Sequence, residues 1–463
     1  MIESCVKNIE LIGQRFDPYY YNPKFEVIEH KLSKLKYSTI GKECIKIFSG
    51  ITPKSGGDDY TNQFEGIPFI RSGDFIEDNQ LDFNGLNYIK TDVHNKLMKG
   101  SQLKQFDVLI AIVGATIGKV GVYNYNLEAN INQAICAVRF KDHINPFFVQ
   151  LFLLTNLGQT IIDRLKRPVA RANINLEEIA SIPIPFLTIE TQKAIVDFYN
   201  YAIKTKQAKE QEAKTLLDGI DDYLLKELGI ELSENTGNEK YFEVNVSELV
   251  GERLDPFYHR IEFTNLFEKI RKKSSIKLRD YIMSINYGAS VSNDYVEEGI
   301  PFLRIKDLLP NEIQNDDIVF LPYEMKDQLK TSFVSENDFL ITRSGTIGIA
   351  AIVNNEFDSY AFGSFMIRFS TKHINREFLS YYINSTIGQI YFGRNKIGAI
   401  QGNITIPTIK DLPIPDISKE KQDEIAEHIQ SIKAKAKQLQ KEAEEILEKI
   451  KMEVERIIEG KSR

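Results

Sequence analysis

The chain has 463 residues, of which 42% are hydrophobic and 27% charged, and this composition is typical of a globular protein with two to four domains. Its formal net charge of −7 excludes a surface that is basic throughout, although a local basic patch is compatible with it. Three scattered cysteines and six histidines argue against a disulfide framework and a zinc site, so we expect neither a metal nor a cofactor.

The first ten residues contain neither a basic region nor an apolar run, so we expect no signal peptide. The longest apolar run, residues 106–118, is too short to span a bilayer. Because the scattered cysteines also suit a reducing compartment, these features predict a cytoplasmic protein that does not enter a membrane.

One stretch of the chain occurs twice, at residues 145–185 and 375–415. Identical residues recur at a constant separation of 230 positions. The matched pairs are Asn145 and Asn375, Gly158 and Gly388, Gln159 and Gln389, Asn173 and Asn403, Pro183 and Pro413, and Pro185 and Pro415. A chain of this length with this period predicts two copies of one module.

Other matched elements follow in the same order in both copies. They are an aromatic opening segment (15–20 and 253–258), a loop of small and polar residues (50–60 and 287–295), a G-I-P-F strand (66–69 and 299–302), two strands around a T-I-G turn (106–122 and 337–353), and a helix before a proline-stopped strand. Because strands and turns dominate and one helix follows, each module is predicted to be a mixed α and β domain.

A long polar helix is predicted after each module, with Gln192 and Gln422 at the same phase. From Ile425 to Ile457 apolar residues recur in alternating steps of four and three, which is nearly a heptad seam. Neither helix is apolar enough to be stable alone, so the two are expected to pack on each other. The composition of residues 231–240 is that of a linker.

The sequence contains only partial matches to known catalytic motifs. The segments D-P-Y-Y (17–20) and D-P-F-Y (255–258) resemble the tetrapeptide of amino-methyltransferases but lack its second proline, and we interpret them as structural turns. The stretch G-A-T-I-G-K (114–119) resembles half of a phosphate loop, but its spacing is short and Val120 follows the lysine, so we interpret it as a glycine turn that does not bind a nucleotide. Asp58, Asp59 and Asp74 could coordinate a metal, but the matched loop of the second copy lacks this trio, so a solvated loop is favoured over a metal site.

A basic segment follows the helix in both copies. The first contains Arg164, Lys166, Arg167 and Arg171 beside one Asp, and the second contains Arg394 and Lys396 without an acid. Basic side chains in a loop suit phosphate contacts, and neighbouring Asn and Gln side chains suit base edges. A solvated charged turn is the alternative, and recurrence at one place in both copies favours nucleic-acid binding.

The ordered set of motifs resembles the specificity subunit of a type I restriction–modification system. It is carried by G-I-P-F-[IL]-R, the D-x-L-I and G-x-x-G turn, the helix ending in G-Q, the basic loop with Asn173 or Asn403, and I-P-I-P before a glutamine. The resemblance implies an α/β (mixed α+β) fold with two pseudo-twofold target recognition domains, at 1–186 and 233–416. It further implies that two long antiparallel helices, at 187–232 and 417–463, form a coiled-coil spacer.

The same resemblance implies a non-catalytic, DNA-binding subunit of a restriction and DNA modification system. Each domain would read one half of a bipartite double-stranded DNA target, and the helices would set the half-site spacing. Two methyltransferase (M) subunits would dock around the helices, and endonuclease/translocase (R) subunits would join them. The alternatives are a protein scaffold with two α/β modules, the recognition part of another DNA methylation or defence system, and a stand-alone modification enzyme.

Candidate DNA-binding residues come from three places. The basic residues named above, Arg164 to Arg171, Arg394 and Lys396, are expected to contact phosphate. Asn173, Gln401 and Asn403 are expected either to contact bases or to hold their own loops. Residues that differ between the copies are the candidates for reading different half-sites: Lys54, Ser55, Asp58, Asp59 and Lys119 in the first, and Ser290, Ser292, Asn293 and Arg343 in the second.

Overall fold

The computed structural model describes residues 18–54, 57–75, 85–167, 172–232, 243–245, 253–292, 294–398 and 402–459. The chain divides into two compact units. The first unit is Met1–Glu210 with Gln440–Arg463, and the second unit is Gln211–Leu439. Each unit therefore holds one α/β module together with half of each long helix, whereas the predicted domain boundaries separate modules from helices.

The first unit contains short strands that, within the described residues, pair antiparallel except for one parallel pair. Its strands are β1 Tyr37–Thr39, β2 Cys44–Ser49, β3 Tyr60–Thr61, β4 Ile67–Ile70, β5 Asn87–Ile89, β6 Asp107–Ala111, β7 Val120–Tyr123, β8 Asn130–Ile131, β9 Ile135–Phe140 and β10 Pro183–Pro185. They make sheets in the orders β2-β9-β6-β7, β3-β5-β4-β8 and β1-β10, and β4 with β8 is the parallel pair. The helices of this module are α1 Glu26–Leu32, α2 Ile40–Glu43, α3 Thr91–Asn95, α4 Pro146–Leu154, α5 Asn156–Leu165 and α6 Leu176–Ser181, and α7 Ile189–Glu227 follows.

The second unit repeats the central sheet. Its strands are β11 Ile282–Tyr287, β12 Ile300–Leu303, β13 Leu308–Leu309, β14 Glu312–Ile313, β15 Val319–Leu321, β16 Phe339–Thr342, β17 Ala350–Ile352, β18 Ala361–Phe362 and β19 Met366–Thr371. The sheet orders are β11-β19-β16-β17, β15-β12-β18 and β13-β14. The helices are α8 Ile261–Lys273, α9 Arg376–Asn384, α10 Thr386–Asn395, α11 Ile406–Lys410 and α12 Lys419–Ile458.

In the first unit the main core lies between the sheet β2-β9-β6-β7 and the helix pair α4 and α5. In the second unit it lies between the sheet β11-β19-β16-β17 and the helix pair α9 and α10. Strand β6 is buried at every position, which fits its continuous apolar run. In the first unit Val108 and Val138 pack in one cluster with Phe148 of α4. In the second unit the rings of Phe339 and Phe369 stack across the sheet with their centroids 4.7 Å apart. The mixed α and β fold class predicted from the sequence is confirmed.

The glycines shared by the two copies allow close packing of the helix pairs. A Cβ at Gly158 would lie 2.2 Å from the Phe152 carbonyl oxygen, and a Cβ at Gly388 would lie 2.1 Å from that of Ile383. Backbone atoms cannot move aside as a flexible side chain can, so only glycine fits where α5 meets α4 and where α10 meets α9.

Two pairs of shared glutamines hold equivalent backbone groups. Gln159 donates to the Gly118 carbonyl over 2.9 Å and Gln389 donates to the Gly348 carbonyl over 2.9 Å, so each joins a helix to the T-I-G turn. The buried Gln192 and Gln422 side chains accept hydrogen bonds from the backbone N–H of the N-cap residues of α4 and α9, over 2.7 and 2.9 Å. Each of these amides satisfies buried backbone groups that would otherwise lack partners.

Antiparallel helix packing occurs inside each unit. In the first unit, Ile195 near the start of α7 shares a core with Val454 near the end of α12, and Lys209 pairs with Glu442 over 2.6 Å. In the second unit, the C-terminal half of α7 meets the N-terminal half of α12. There Leu224 packs with Ile425 and Ile429, and Glu227 pairs with Lys421 over 2.6 Å. The predicted apolar seam of α12 is buried at Ile429, Ala436, Leu439, Ala443, Ile450 and Val454.

No helix among the described residues combines the length and the apolar character that crossing a bilayer requires.

Candidate nucleic-acid interface

Metal-ligating side chains do not cluster in the described part of the chain, where no group of three His, Cys, Asp or Glu could hold an ion. Of the acidic residues considered from the sequence, Asp74 instead accepts hydrogen bonds from the backbone and guanidinium of Arg71, over 2.7 and 3.2 Å. Asp307 does the same for Arg304 in the second unit, which makes this pairing part of the repeated framework.

The basic residues after α5 lie in intramolecular ion pairs. Arg164 pairs with Glu29 over 2.7 Å, Lys166 with Asp163 over 3.0 Å, and Arg167 with Glu178 over 3.1 Å. Glu29 belongs to the segment that opens the module, so Arg164 fastens that segment to the helix pair. Arg171 lies outside the described residues.

Asp163 is the centre of a polar cluster with the opening segment. It accepts hydrogen bonds from the Tyr19 hydroxyl at 3.0 Å and the Lys24 ammonium at 2.9 Å, besides its pairing with Lys166. Partial burial works to raise the pKa of Asp163, but the hydrogen bonds from Lys24, Lys166 and Tyr19 outweigh it and the pKa is lowered. The carboxylate form therefore holds the start of the module in place.

Arg394 repeats in the second unit two contacts that Arg164 makes in the first, where the Arg164 Nε donates to the Tyr20 carbonyl over 3.2 Å and its guanidinium lies 4.3 Å from the centre of the Tyr20 ring. Arg394 is 8% exposed, its Nε donates to the Tyr258 carbonyl over 2.8 Å, and its guanidinium lies 3.9 Å from the centre of the Tyr258 ring. Lys396 is exposed, with its ammonium 5.4 Å from the ring centre of Phe257. Gln401 lies outside the described residues. Tyr20 and Tyr258, the last residues of D-P-Y-Y and D-P-F-Y, are thus the partners of Arg164 and Arg394, whereas Asp17 lies outside the described residues.

Backbone bonds join each basic loop to a glycine turn. The Gly114 N–H donates to the Ala172 carbonyl over 2.9 Å, and the Arg167 N–H donates to the Asn173 carbonyl over 3.3 Å. In the second unit Asn403 and Ile397 exchange two N–H to carbonyl bonds of 2.8 Å. Asn173 and Asn403 therefore contribute backbone groups that shape their own loops.

The residues chosen because they differ between the copies lie on several loops. Lys54 and Asp58 are exposed, Asp59 is half-buried, and the Lys119 ammonium donates to the Phe75 carbonyl over 2.9 Å. In the second unit Ser290 and Ser292 are exposed, and the Ser292 hydroxyl donates to Asp294 over 2.7 Å. Ser55 and Asn293 lie outside the described residues.

Arg343 lies at an edge of the second unit where three strand ends meet, and the first unit contains an equivalent edge of its own. Its N–H donates to the Phe365 carbonyl over 2.8 Å, and its own carbonyl accepts from the Ile404 N–H over 2.9 Å. Tyr287, the last residue of β11, lies beside it, with the guanidinium 4.7 Å from its ring centre. We call Tyr287, Arg343 and Phe365 the second reading edge.

The equivalent positions of the first unit are fixed by the same backbone bonds. The Ile112 N–H donates to the Ala134 carbonyl over 2.9 Å, and the Ile112 carbonyl accepts from the Ile174 N–H over 3.0 Å. Strand register places Ser49 opposite Cys136, where Tyr287 lies opposite Ile367. Ser49, Ile112 and Ala134 form the first reading edge, and its small or apolar side chains contrast with those of the second.

Sequence reasoning selected Arg343 and missed Tyr287 and Phe365. Their exposure is the structural signal, at 38% for Tyr287 and 52% for Phe365. Tyr287 stands at the start of the compared loop, so a position-by-position comparison of the two copies could have found it. Phe365 becomes apparent only from the strand pairing.

Comparison with known families gives a match in each copy of the repeat. A family model described as "Type I restriction modification DNA specificity domain" matches residues 42–217 and 264–449. The specificity subunit of the type I restriction enzyme EcoBI from Escherichia coli is 32% identical over 133 residues, which cover 28% of this chain and 27% of the length of that subunit.

Solved structures resemble the whole chain. A chain from work on complex assembly and conformational transition of the type I R-M system has a TM-score of 0.51 and 14% identity, covering 91% of this chain and 96% of that one. The HsdS subunit from Thermoanaerobacter tengcongensis has a TM-score of 0.45 and 13% identity, covering 93% of this chain and 97% of that one. The first of these likenesses shows that the fold is shared.

Proposed function

Because the chain belongs to the family of type I restriction modification DNA specificity domains, we propose that it is the sequence-recognition subunit of a type I restriction–modification complex. In this proposal each unit reads one half of a bipartite double-stranded DNA target. The observation that carries it is the pair of reading edges. They share backbone bonds and strand register, yet present Ser, Ile and Ala on one edge and Tyr, Arg and Phe on the other.

Such a pair of surfaces suits two different half-sites. Base identity is read by side chains that reach the groove edges, while the backbone sets where those side chains stand. A repeated scaffold with unlike side chains at one position is therefore expected to read two unlike short sequences. Lys54, Asp58, Ser290 and Ser292 are exposed on the neighbouring loops and are proposed as further DNA contacts.

The basic segments remain candidates for phosphate contact, although several of their side chains already form ion pairs within the protein. Arg164, Lys166 and Arg167 would each have to share or exchange an acidic partner to reach DNA. Lys396 is exposed and is the better phosphate contact. Because the chain carries a net charge of −7, partner subunits are proposed to supply much of the attraction to the DNA backbone.

The long helices are proposed to set the half-site spacing and to dock two methyltransferase (M) subunits, to which endonuclease/translocase (R) subunits are added. Helix α7 has 39 residues and α12 has 40, which at about 1.5 Å per residue gives rods of about 60 Å. Charged pairs such as Glu445 with Lys449 lie on the outside of α12 and suit a polar partner surface. The chain itself is proposed to be non-catalytic, and the chemistry would belong to the partners.

Methylation sequencing of the host genome tests the proposal. We expect one split motif, made of two short blocks, to lose methylation when this gene is deleted and to regain it when the gene is restored. Unchanged methylation in a strain whose methyltransferase partner is expressed and copurifies with the chain would contradict the proposal. Copurification without any sequence-dependent DNA binding would favour a scaffold instead.

A further inference from the structure

We infer that the second reading edge is a binding site for one guanine of the second half-site, with Arg343 as the residue that contacts the base. This inference rests on the proposed function and assigns the chemistry of one position in its target. Three observations carry it: an arginine side chain that has no hydrogen-bond or ion-pair partner among the described residues, an aromatic ring beside it, and an isoleucine at the equivalent position of the first edge.

Arg343 differs from the other half-buried arginines of the described residues. Arg71, Arg139, Arg304 and Arg368 each pair with an aspartate over 2.7 to 3.2 Å. In the same described residues no hydrogen bond or ion pair forms on the Arg343 side chain, and its Nε is buried without a partner. The terminal guanidinium nitrogens of Arg343 are thus not engaged by an acidic side chain within the described ranges, whereas those of the four paired arginines are.

Tyr287 orients the guanidinium in advance. The two groups are 4.7 Å apart, within the range of an attractive cation–π contact. Tyr287 is fixed in turn, because its hydroxyl accepts a hydrogen bond from the Ile406 N–H at the start of α11 over 3.3 Å. A planar fork of donors held by a ring loses little conformational entropy on binding, which favours a specific contact over a mobile ionic one.

Guanine is the base that matches this fork. Its major-groove edge presents two acceptors, O6 and N7, and an arginine can bind both at once. Adenine presents one acceptor beside an amino donor, which would face the donors of the guanidinium. Cytosine presents a donor, and thymine presents one acceptor beside a methyl group. Phe365, 52% exposed next to the arginine, adds an apolar surface for a neighbouring base.

The first reading edge cannot make this contact. Ile112, at the position of Arg343, is 5% exposed and carries no donor, and Ala134 stands where Phe365 does. The guanine requirement is therefore assigned to the half-site read by the second unit alone.

The test uses the chain in complex with its methyltransferase partner and a duplex with its methylated target. Each guanine of the second half-site is replaced in turn by 7-deazaguanine, which lacks the N7 acceptor. We expect one replacement to weaken binding of the unaltered complex about 10-fold, and to have no effect on the complex with Arg343→Ala. That variant should bind the natural duplex about 10- to 100-fold more weakly.

Two further variants separate this role from a structural one. Arg343→Lys keeps the charge but not the fork, and its sensitivity to 7-deazaguanine is expected to lie between those of the unaltered complex and the alanine variant. Arg376→Ala removes an exposed arginine of the same unit and is the matched control, expected to behave like the unaltered complex.

Two results would overturn the inference while leaving the proposed function intact. One is a second half-site in which no guanine replacement depends on Arg343. The other is an even loss of affinity across all sequences with Arg343→Ala, together with a weaker salt dependence, which is the behaviour of a phosphate contact. If the unaltered complex bound no split sequence at all, the proposed function would fail together with the inference.

Discussion

The two units build the same scaffold and differ where the scaffold ends. Gln159 and Gln389 make the same bond to a glycine turn, and Gln192 and Gln422 hold the same N-cap backbone. Beyond this scaffold, the reading edges carry unlike side chains on equivalent backbone. A few amides and glycines therefore specify the framework and leave the residues at its edge free to vary, as the proposed reading of two different half-sites requires.

A second difference lies in how each module holds its opening segment. Both units stack an arginine on a tyrosine of that segment, Arg164 on Tyr20 and Arg394 on Tyr258. The first unit adds the bonds of Tyr19 and Lys24 to Asp163, and the second has Gly393 at that position. Because only the first unit has this carboxylate, the two segments should respond differently to pH.

The largest expected effect concerns the buried aspartates of the central sheets. Asp107 is fully buried and receives two bonds from Arg139, of 2.8 and 2.7 Å. Asp107→Ala leaves that arginine without its partner and should lower the free energy of unfolding of the first unit by about 3–5 kcal/mol. Urea unfolding followed by hydrogen exchange in each unit measures it.

Asp338→Ala is the matched change in the second unit, and its effect should be smaller. Arg368 keeps bonds to Asn286 and to the Phe333 carbonyl, of 2.9 and 3.2 Å, when its aspartate is removed. Equal losses in the two units would show that these remaining bonds do not compensate.

Alanine at the shared glycines should cost somewhat less. Gly158→Ala and Gly388→Ala place a methyl group against backbone of the preceding helix, and each should destabilise its own unit by about 1–3 kcal/mol. Gly219→Ala is the control, because a Cβ there meets nothing within 4 Å. It should stabilise α7 by about 0.5–1 kcal/mol, as alanine does in an open helical position. Thermal unfolding that ranked all three alike would contradict the packing described.

Two acidic residues of the long helices accept hydrogen bonds from backbone N–H groups in the first turn of another helix of the same unit. Glu455 accepts from the Leu157 N–H over 2.9 Å, and Asp221 accepts from the Thr386 N–H over 3.0 Å. Alanine at either position should cost about 1 kcal/mol, because a free N–H at a helix start loses its partner. Faster hydrogen exchange confined to the first turn of α5 or α10 is the expected result. Exchange unchanged in that turn would refute the capping role.

The smallest expected effect is a difference in the pH dependence of hydrogen exchange between the opening segments 18–25 and 253–260. The pKa of Asp163 is lowered on folding, so its contribution is present above the unfolded value of about 3.9 and is lost as the pH falls through the folded value. Exchange in residues 18–25, corrected for intrinsic rates, should therefore rise below about pH 4, while residues 253–260 change less. Asp163→Asn should abolish that difference, and a difference that persisted would point to another group.

The sequence alone predicted the repeat, the mixed fold, the seam of α12 and the family, and these are confirmed. Periodicity and repetition are local properties of the chain, which is why they could be found. The pairing of Arg164 with Glu29 was not predicted, because the partners are 135 residues apart and meet only through the fold. Arg343 was selected from the sequence, but its grouping with Tyr287 and Phe365 was not, because only strand pairing brings the three residues together.

The role of individual residues in DNA binding stays a prediction. Net charge in a loop favoured the segments after α5 and α10, but charge counts do not reveal which side chains are already paired. Arg394 is an example. The sequence placed it in a basic loop, but it lies in the last turn of α10 and is buried over the Tyr258 ring.

The central claim is that each unit reads one half-site, and a chimera tests it most directly. Residues 253–416 would be replaced by a second copy of residues 15–186, joined at the matched Arg15 and Arg253 and before the matched long helices. We expect methylation sequencing of a host carrying this chimera to find a symmetric target, made of two inverted copies of the first half-site. Retention of the original two-part target by a chimera that still copurifies with the methyltransferase would contradict it.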